Sequence, residues 1–177
     1  KEEIGTNKKV RVAINGFGRI GRMIFRAGYD DPNIEFVVIN DLSSTEDLAY
    51  LLKNDSAHGQ FPFKVDSTKT SLKVGSKTVK VISEKDIKKL PWKENKIDVV
   101  AECTGRFTDN EDAKVHIKNG AKKILISAPG KGDCFYFVRG VNDEEYHDQV
   151  VVSNGSCTTN SMSSVVSELN KKYGVLK

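Results

Sequence analysis

The chain has 177 residues, 38% of them hydrophobic and 29% charged, which is the composition of an ordinary globular domain with a sizeable core. Its 28 Lys and Arg against 24 Asp and Glu give a formal net charge of +4. The basic residues are spread along the chain, so the charge does not require nucleic-acid binding. No apolar run approaches the ~20 residues that cross a bilayer and no leader pattern opens the chain, so we expect a soluble protein without a membrane partner.

The first part of the chain alternates short β-branched runs with helical stretches. The predicted elements are a strand at residues 10–14, a helix at 19–27, a strand at 36–39 and a helix at 45–53. Either Ser43 or Ser44 is placed to cap the second of these helices. Residues 71–82 then alternate with period two across a Gly75-Ser76 turn, which predicts an antiparallel hairpin with one wet face.

Beyond the hairpin the alternation of strands and helices resumes. The predicted elements are strands at residues 98–101, 123–126, 136–139 and 150–153, with helices at 110–119 and 158–173. Strands that alternate with helices form a parallel sheet. The sequence therefore predicts an α/β fold with a Rossmann-type doubly wound, mostly parallel sheet and an antiparallel hairpin insertion.

A glycine-rich loop follows the first predicted strand and opens the first helix. Gly16-Phe17-Gly18-Arg19-Ile20-Gly21 fits the dinucleotide-binding pattern G-x-G-x-x-G in the strand–loop–helix context that this pattern needs. The three glycines allow the tight turn, the approach of a pyrophosphate to the backbone, and close packing of helix on strand. The helix N-terminus favours the anion, and Arg19 adds positive charge there.

Asp41 stands 20 residues after Gly21, at the end of the second predicted strand. A carboxylate at this place accepts hydrogen bonds from the adenosine ribose hydroxyls and repels a ribose 2′-phosphate. The pattern therefore predicts NAD as the cofactor in preference to NADP. The alternative is that the glycines form only a turn and that Asp41 caps a helix.

Cys157 is the candidate nucleophile among three cysteines. It lies between an apolar strand and an amphipathic helix, where free backbone N–H groups and the helix dipole stabilise a thiolate. Ser156, Thr158 and Thr159 surround it with hydroxyls that bind a phosphate or an oxyanion. Cys103 and Cys134 have no such position, and we expect both to be non-catalytic.

The cysteines and histidines carry further expectations. The cysteines lack CxxC spacing and cannot all pair, which favours a reducing, cytoplasmic location. None of the histidines stands at metal-ligand spacing from a cysteine, so we predict no metal site and assign no histidine as general base. The histidines are His58, His116 and His147.

Taken together, six motifs resemble the N-terminal half of the phosphorylating glyceraldehyde-3-phosphate dehydrogenase family. They are Ala13 through Arg22, Ile39-Asn40-Asp41-Leu42, Leu51 through Gly59, Glu102-Cys103-Thr104-Gly105-Arg106-Phe107, Ile126-Ser127-Ala128-Pro129 and Ser153 through Asn160. The resemblance runs along essentially the whole chain. It implies a dinucleotide-binding domain at residues 1–156 and the start of a catalytic domain at 157–177, with the rest of that domain absent.

The resemblance also implies roles for individual residues. Cys157 attacks the aldehyde of glyceraldehyde 3-phosphate, and inorganic phosphate, held with the help of Ser156 and Thr158, releases the thioester as 1,3-bisphosphoglycerate. The cofactor site implied by the resemblance comprises Gly16, Phe17, Gly18, Arg19, Ile20, Asn40, Asp41, Thr104, Gly105 and Ser127. The family's catalytic histidine follows shortly after the position of Lys177, and its full-length members form homotetramers.

Several positions depart from the family pattern. Gly155 stands where alanine is usual, Ser161 where a second cysteine is common, and residues 129–137 are atypical. Three alternatives stay open: an active dehydrogenase completed by a missing half, an NAD-binding module without turnover, and the erythrose-4-phosphate dehydrogenase relative. We also expect the last helix to expose an apolar face, with Val165, Val166 and Leu169 on it, that favours association.

Overall fold

The computed structural model describes residues 8–175, so the outermost residues of both predicted domains lie outside the described part. Within this range the strands are β1 (Val10–Asn15), β2 (Ile34–Asn40), β3 (Val65–Thr68), β4 (Ser71–Val74), β5 (Lys77–Ile82), β6 (Val99–Glu102), β7 (Lys123–Ile126), β8 (Phe135–Tyr136) and β9 (Val151–Ser153). The α-helices are α1 (Arg19–Gly28), α2 (Thr45–Lys53), α3 (Asn110–Ala113), α4 (Val115–Lys118) and α5 (Cys157–Tyr173). Short 3₁₀ turns occupy Ile87–Lys89 and Asp143–Glu145.

The strands form one sheet in the order β3-β4-β5-β2-β1-β6-β7-β9-β8. Strands β2, β1, β6, β7 and β9 pair in parallel. The hairpin β4–β5 and the pair β3–β4 are antiparallel, and β5 joins the sheet by pairing in parallel with β2. The predicted fold class, a mostly parallel sheet with an antiparallel insertion, is confirmed.

Alternate residues of the central strands enter two different cores. Ile14 and Ile39 pack on the α1 and α2 side, in one cluster with Phe25, Leu48 and Leu52. The residues before them in sequence, Ala13 and Val38, point to the opposite face and pack there with Val100 of β6 against Trp92 and Ile97. Both faces of the sheet are therefore covered, which is why these strands are apolar throughout instead of alternating.

The hairpin alternates as the sequence predicted. Leu72, Val74 and Val79 are buried, whereas Lys73 and Lys80 are exposed. Gly75 makes the turn with φ +51°. The hairpin thus has one face on the α1–α2 core and one face in water.

Two predicted elements differ from the structure. The helix predicted at residues 110–119 is interrupted at Lys114, whose ψ of −13° tightens the chain so that Ile117 N–H donates to the Lys114 carbonyl, three residues back. The strand predicted at 136–139 is instead the two-residue β8. It ends because the Asn142 side chain binds the Tyr136 carbonyl and the Val138 N–H, which removes them from the ladder.

Helix α5 begins at Cys157 and none of its residues is buried. Val165 is 60% exposed, Leu169 47% and Met162 59%. The expected exposed apolar face is therefore present. No helix among the described residues is long and apolar enough to span a membrane.

Candidate functional site

The parallel strands end at one edge of the sheet, and the predicted site residues follow these ends. Backbone hydrogen bonds extend the ladder one residue beyond the strands, from Gly16 to Asn40, from Cys103 to Asn15, from Ser127 to Glu102 and from Asn154 to Ile126. Neighbouring strands lie ~4.8 Å apart. The loops that carry the glycines, Thr104, Ser127 and Cys157 are therefore aligned along the edge where α/β sheets bind their ligands.

Each of the three glycines of the loop lacks a side chain for a different steric reason. A Cβ on Gly21 would lie 2.2 Å from the Gly16 carbonyl oxygen, so α1 can approach the loop only without a side chain there. Gly16 has φ +90°, and its Cβ would lie 2.8 Å from the Thr104 nitrogen. A Cβ on Gly18 would meet nothing within 4 Å, so the backbone there faces open space where a ligand can approach.

The first turn of α1 is open to an anion. Its N-cap, Gly18, offers no side-chain hydrogen bond and the turn contains no acidic residue, so its N–H groups keep the positive end of the helix dipole. Arg19 and Ile20 are exposed beside it. The side chain of Phe17 is fully buried against Phe25, so only its backbone faces the site.

Asp41 is tied to the glycine loop. Its Oδ2 accepts from Phe17 N–H at 2.7 Å and its Oδ1 from Ser43 N–H at 2.9 Å. A carboxylate has about four acceptor positions, so two remain for ribose hydroxyls. Helix α2 is capped by Ser44, whose hydroxyl accepts from Asp47 N–H, and not by Asp41.

A crevice of about 280 Å³ opens above these residues. It is lined by Asn15, Gly16, Gly18, Asn40, Asp41, Leu42, Glu84, Lys85, Ile87, Leu90, Cys103, Thr104, Arg106 and Phe107. The wall formed by Glu84, Lys85 and Ile87, which follow β5, was not predicted from the sequence. The period-two pattern of the hairpin was visible, but its parallel pairing with β2, which brings these residues to the crevice, was not.

The side chains of two predicted cofactor residues, Asn40 and Thr104, hydrogen-bond to other groups of the protein. Asn40 donates to Asn15 Oδ1 at 2.7 Å and to the Glu84 carbonyl at 2.9 Å. Thr104 donates from its backbone N–H and from its hydroxyl to Glu102 Oε1. These side chains shape the crevice. Predicted residues Gly105 and Ser127 lie on the same edge but outside the crevice lining.

Cys157 is exposed at the first position of α5. Gly155, with φ +69°, turns the chain from β9 into the helix. Ser156 is the N-cap, and its hydroxyl accepts from Thr159 N–H at 2.9 Å, so this hydroxyl already serves the helix. Thr158 Oγ1 lies 4.0 Å from Cys157 Sγ. Within residues 8–175 no histidine hydrogen-bonds to this sulfur; His116 is fully buried against Glu102.

The other two thiols lie in different surroundings. Burial raises the pKa of Cys103 to about 11, the Glu102 carboxylate acts in the same direction, and a hydrogen bond from Ser127 opposes both. Burial and the carboxylates of Asp133 and Asp109 raise the pKa of Cys134. Both shifts disfavour the nucleophilic thiolate at neutral pH.

We expect iodoacetamide at pH 8 to alkylate Cys157 before Cys103 and Cys134. Two pKa units above the ordinary 9.0 leave Cys103 with about 100-fold less thiolate than an ordinary thiol at this pH, whereas Cys157 is exposed. Peptide mass spectrometry over time measures the three rates, and the denatured chain, in which all three should react alike, is the control. Equal rates for Cys103 and Cys157 in the folded chain would contradict the assignment.

The sheet, the glycine loop at a helix N-terminus and the carboxylate after the second strand define a dinucleotide-binding domain of the Rossmann class. The sequence model of "Glyceraldehyde 3-phosphate dehydrogenase, NAD binding domain" matches residues 10–110. The chain belongs to the glyceraldehyde-3-phosphate dehydrogenase family, and its cofactor is NAD.

Relatives match along nearly the whole chain. It is 48% identical to the glyceraldehyde-3-phosphate dehydrogenase of Thermotoga maritima, over 94% of this chain and 51% of that protein. Identity is 49% with the chloroplastic enzyme of Chondrus crispus, over 98% and 43%, and 46% with the cytosolic enzyme of Trypanosoma brucei brucei, over 95% and 51%. The chain spans about half the length of the curated relatives it matches.

Proposed function

We propose that this chain is the cofactor-binding half of an NAD-dependent, phosphorylating glyceraldehyde-3-phosphate dehydrogenase. One observation carries the proposal: the exposed thiol of Cys157 lies at the first position of a helix that follows strand β9. This helix begins on the same edge of the sheet as the NAD crevice, so the nucleophile and the cofactor meet there.

In the proposed reaction the Cys157 thiolate forms a bond to the aldehyde carbon of glyceraldehyde 3-phosphate. Bound NAD supplies the hydride acceptor. Loss of hydride leaves a thioester on Cys157. An oxygen of inorganic phosphate then attacks the thioester carbon, the carbon–sulfur bond breaks, and 1,3-bisphosphoglycerate leaves with the thiolate restored. Thr158 and the N–H groups at the start of α5 hold a phosphate, while Ser156 contributes mainly by capping the helix.

The cofactor residues divide by role in this proposal. The open first turn of α1, with Arg19 and Ile20, binds the pyrophosphate, and Asp41 accepts from the adenosine ribose. Phe17 contributes its backbone, while Asn40 and Thr104 shape the crevice. Gly105 and Ser127 lie toward β7, nearer to Cys157 along the edge, and contact the nicotinamide half.

Replacing Asp41 by asparagine is expected to weaken NAD binding about tenfold or more, because a charge-assisted hydrogen bond to the ribose is lost. NADP binding should weaken less or improve, because the like charge near a 2′-phosphate is removed. Titration calorimetry with both cofactors measures the two dissociation constants. Glu46→Gln, an exposed charge change on α2, is the matched control. An Asp41→Asn variant with unchanged NAD and NADP affinities would refute the ribose role.

The test of the proposed function is NADH formation from glyceraldehyde 3-phosphate, NAD and phosphate. We expect the 177-residue chain to turn over slowly, because no histidine hydrogen-bonds to Cys157 within residues 8–175 and the loss of general base catalysis costs about 10²–10⁴-fold. A fusion that adds the second half of the Thermotoga maritima relative should restore turnover. Fast turnover by the chain alone would refute the half-enzyme proposal. A fusion that binds NADH without turnover would leave an NAD-binding module, and erythrose 4-phosphate, assayed in parallel, tests the related substrate.

We further propose that the complete protein is a cytoplasmic homotetramer. The exposed apolar face of α5 supports a contact that this chain does not make by itself. The cytoplasmic location rests on the unpaired cysteines, Cys103, Cys134 and Cys157, while the named relatives include both cytosolic and chloroplastic proteins. Sedimentation of the fusion measures the assembly.

A further inference from the structure

We propose that Glu102 is a positioning residue of the NAD crevice: its buried carboxylate, backed by His116 and Trp92, fixes the orientation of the side chains that form the crevice floor. The inference rests on the cofactor site proposed above. The floor side chains are Asn15, Asn40 and Thr104, which all line the crevice. Glu102 lies beneath them and is 1% exposed.

Glu102 receives hydrogen bonds on both carboxylate oxygens. Oε2 accepts from Asn15 Nδ2 at 2.6 Å and pairs with His116 Nε2 at 2.9 Å. Oε1 accepts from Thr104 N–H at 2.8 Å and from the Thr104 hydroxyl. Among residues 8–175 it has no lysine or arginine partner. The donors around it therefore compensate the charge, which is otherwise costly to bury.

The imidazole of His116, which lies behind Glu102, can carry its proton on only one of its two nitrogens. The Trp92 indole N–H donates to His116 Nδ1 at 2.8 Å, and an indole nitrogen is never an acceptor. Nδ1 must therefore be unprotonated, and the imidazole proton lies on Nε2, from which it is donated to Glu102. Because His116 is fully buried, no solvent replaces these partners.

The side-chain amides of Asn40 and Asn15, which lie in front of Glu102, are also held in one orientation. Glu84 N–H donates to Asn40 Oδ1 at 2.9 Å, so the Asn40 amide nitrogen must face Asn15. Asn15 therefore presents its oxygen to Asn40 and its nitrogen to Glu102. The backbone N–H of Glu84 cannot reverse, and neither amide can flip without placing two donors against each other.

Three donors that cannot become acceptors thus fix the hydrogen bonds made to Glu102. The Trp92 indole acts through His116 and the N–H of Glu84 acts through the two asparagines, whereas the N–H of Thr104 donates to Glu102 directly. Only a group that accepts on both oxygens satisfies all of them. Glutamine has the same shape but must present an NH₂ group to at least one donor. The charge of Glu102, and not merely its volume, therefore sets the shape of the crevice floor.

The first experiment compares NADH affinity, measured by fluorescence titration, between the wild-type chain and Glu102→Gln at a temperature where circular dichroism shows both folded. We expect the dissociation constant to rise about tenfold or more, the change that corresponds to one buried donor left without an acceptor. Val79→Ala, which loosens the buried core in β5 without touching these hydrogen bonds, should leave the affinity unchanged.

A coupling measurement separates positioning from packing. Trp92→Phe removes the indole donor, so His116 is free to carry its proton on Nδ1 and to accept on Nε2 from the amide that Glu102→Gln introduces. Glu102→Gln should therefore raise the dissociation constant by a smaller factor in the Trp92→Phe background than in the wild type. Equal factors in both backgrounds would overturn the directional network.

A third measurement uses only the wild-type chain and decides the matter if Glu102→Gln does not fold. ¹⁵N NMR of the imidazole of His116 should show Nδ1 unprotonated and Nε2 protonated, with the indole N–H of Trp92, the single tryptophan, protected from exchange. The opposite tautomer would overturn the proposal. Unchanged NADH affinity in folded Glu102→Gln would overturn the positioning role alone, whereas a wild-type chain that does not bind NADH would overturn the cofactor site itself.

Discussion

Replacing Cys157 by serine is expected to lower NADH formation by at least about 10³-fold, the loss typical of removing a covalent nucleophile. A serine hydroxyl is a far weaker acid than a thiol and is not ionised at neutral pH, so it is a poor nucleophile at this position. The rate is measured in the fusion described above, which supplies the second half of the enzyme. NADH affinity should stay unchanged, because the thiol lies outside the crevice lining.

Cys134→Ser is the matched control for this variant. Its thiol is half-buried, away from the crevice lining, so the same chemical change there should leave the rate near that of the unchanged fusion. Comparable rates for Cys157→Ser and Cys134→Ser would remove Cys157 from the mechanism. A large loss in both would show instead that the fusion is sensitive to thiol substitution in general.

The second large effect is expected at Gly21, where alanine should destabilise the chain by about 3 kcal/mol, as overpacking at a site without room does. The added methyl group would lie 2.2 Å from the Gly16 carbonyl oxygen and 3.0 Å from Ile14 Cγ2. Backbone and a buried side chain cannot both yield, so α1 must move away from the loop. NADH binding should be lost together with stability. Urea unfolding and fluorescence titration measure the two changes.

Gly18→Ala separates these two consequences. Nothing lies within 4 Å of its added methyl group and its φ of −69° suits alanine, so stability should change by no more than about 1 kcal/mol. NADH affinity should still fall, because the methyl group occupies the space over the helix N-terminus. Equal destabilisation by the two alanines would contradict the steric account of the loop.

The part of the fold that was predictable from sequence is the part set by local pattern. The central strands and helices α1 and α2 follow from hydrophobic periodicity, and the hairpin from its period-two alternation around Gly75. The interruption of the helix at Lys114 and the shortness of β8 were not predictable. The first depends on one tightened turn, and the second on Asn142 competing for backbone groups, neither of which alters the hydrophobic pattern.

The same distinction holds for the site. The glycines and Asp41 were identified because their spacing follows from one strand–loop–helix unit, and Cys157 because a helix begins there. The hydrogen bonds of Glu102 and His116 were missed because their partners are distant in sequence: Asn15 is 87 residues from Glu102 and Trp92 is 24 from His116. A histidine or glutamate within an apolar stretch of sequence does not indicate which polar residue of another element will hydrogen-bond to it. The roles of individual site residues and the domain boundary at residue 157 stay predictions.

Helix α5 has a consequence for the nucleophile at its start. Its residues are all partly or fully exposed, so little besides its own hydrogen bonds holds it, whereas most helices in proteins are stabilised by packing of an apolar face. Amide hydrogen exchange should therefore be slow in β9 and fast a few residues into α5, with Cys157 at the border. The first turn, which fixes the position of Cys157 at this edge of the sheet, exists only while the helix is formed. Leu169 lies about 18 Å from Cys157 along the helix axis. A contact that covers Leu169 therefore stabilises the helix and raises the fraction of time for which the thiol is held in position.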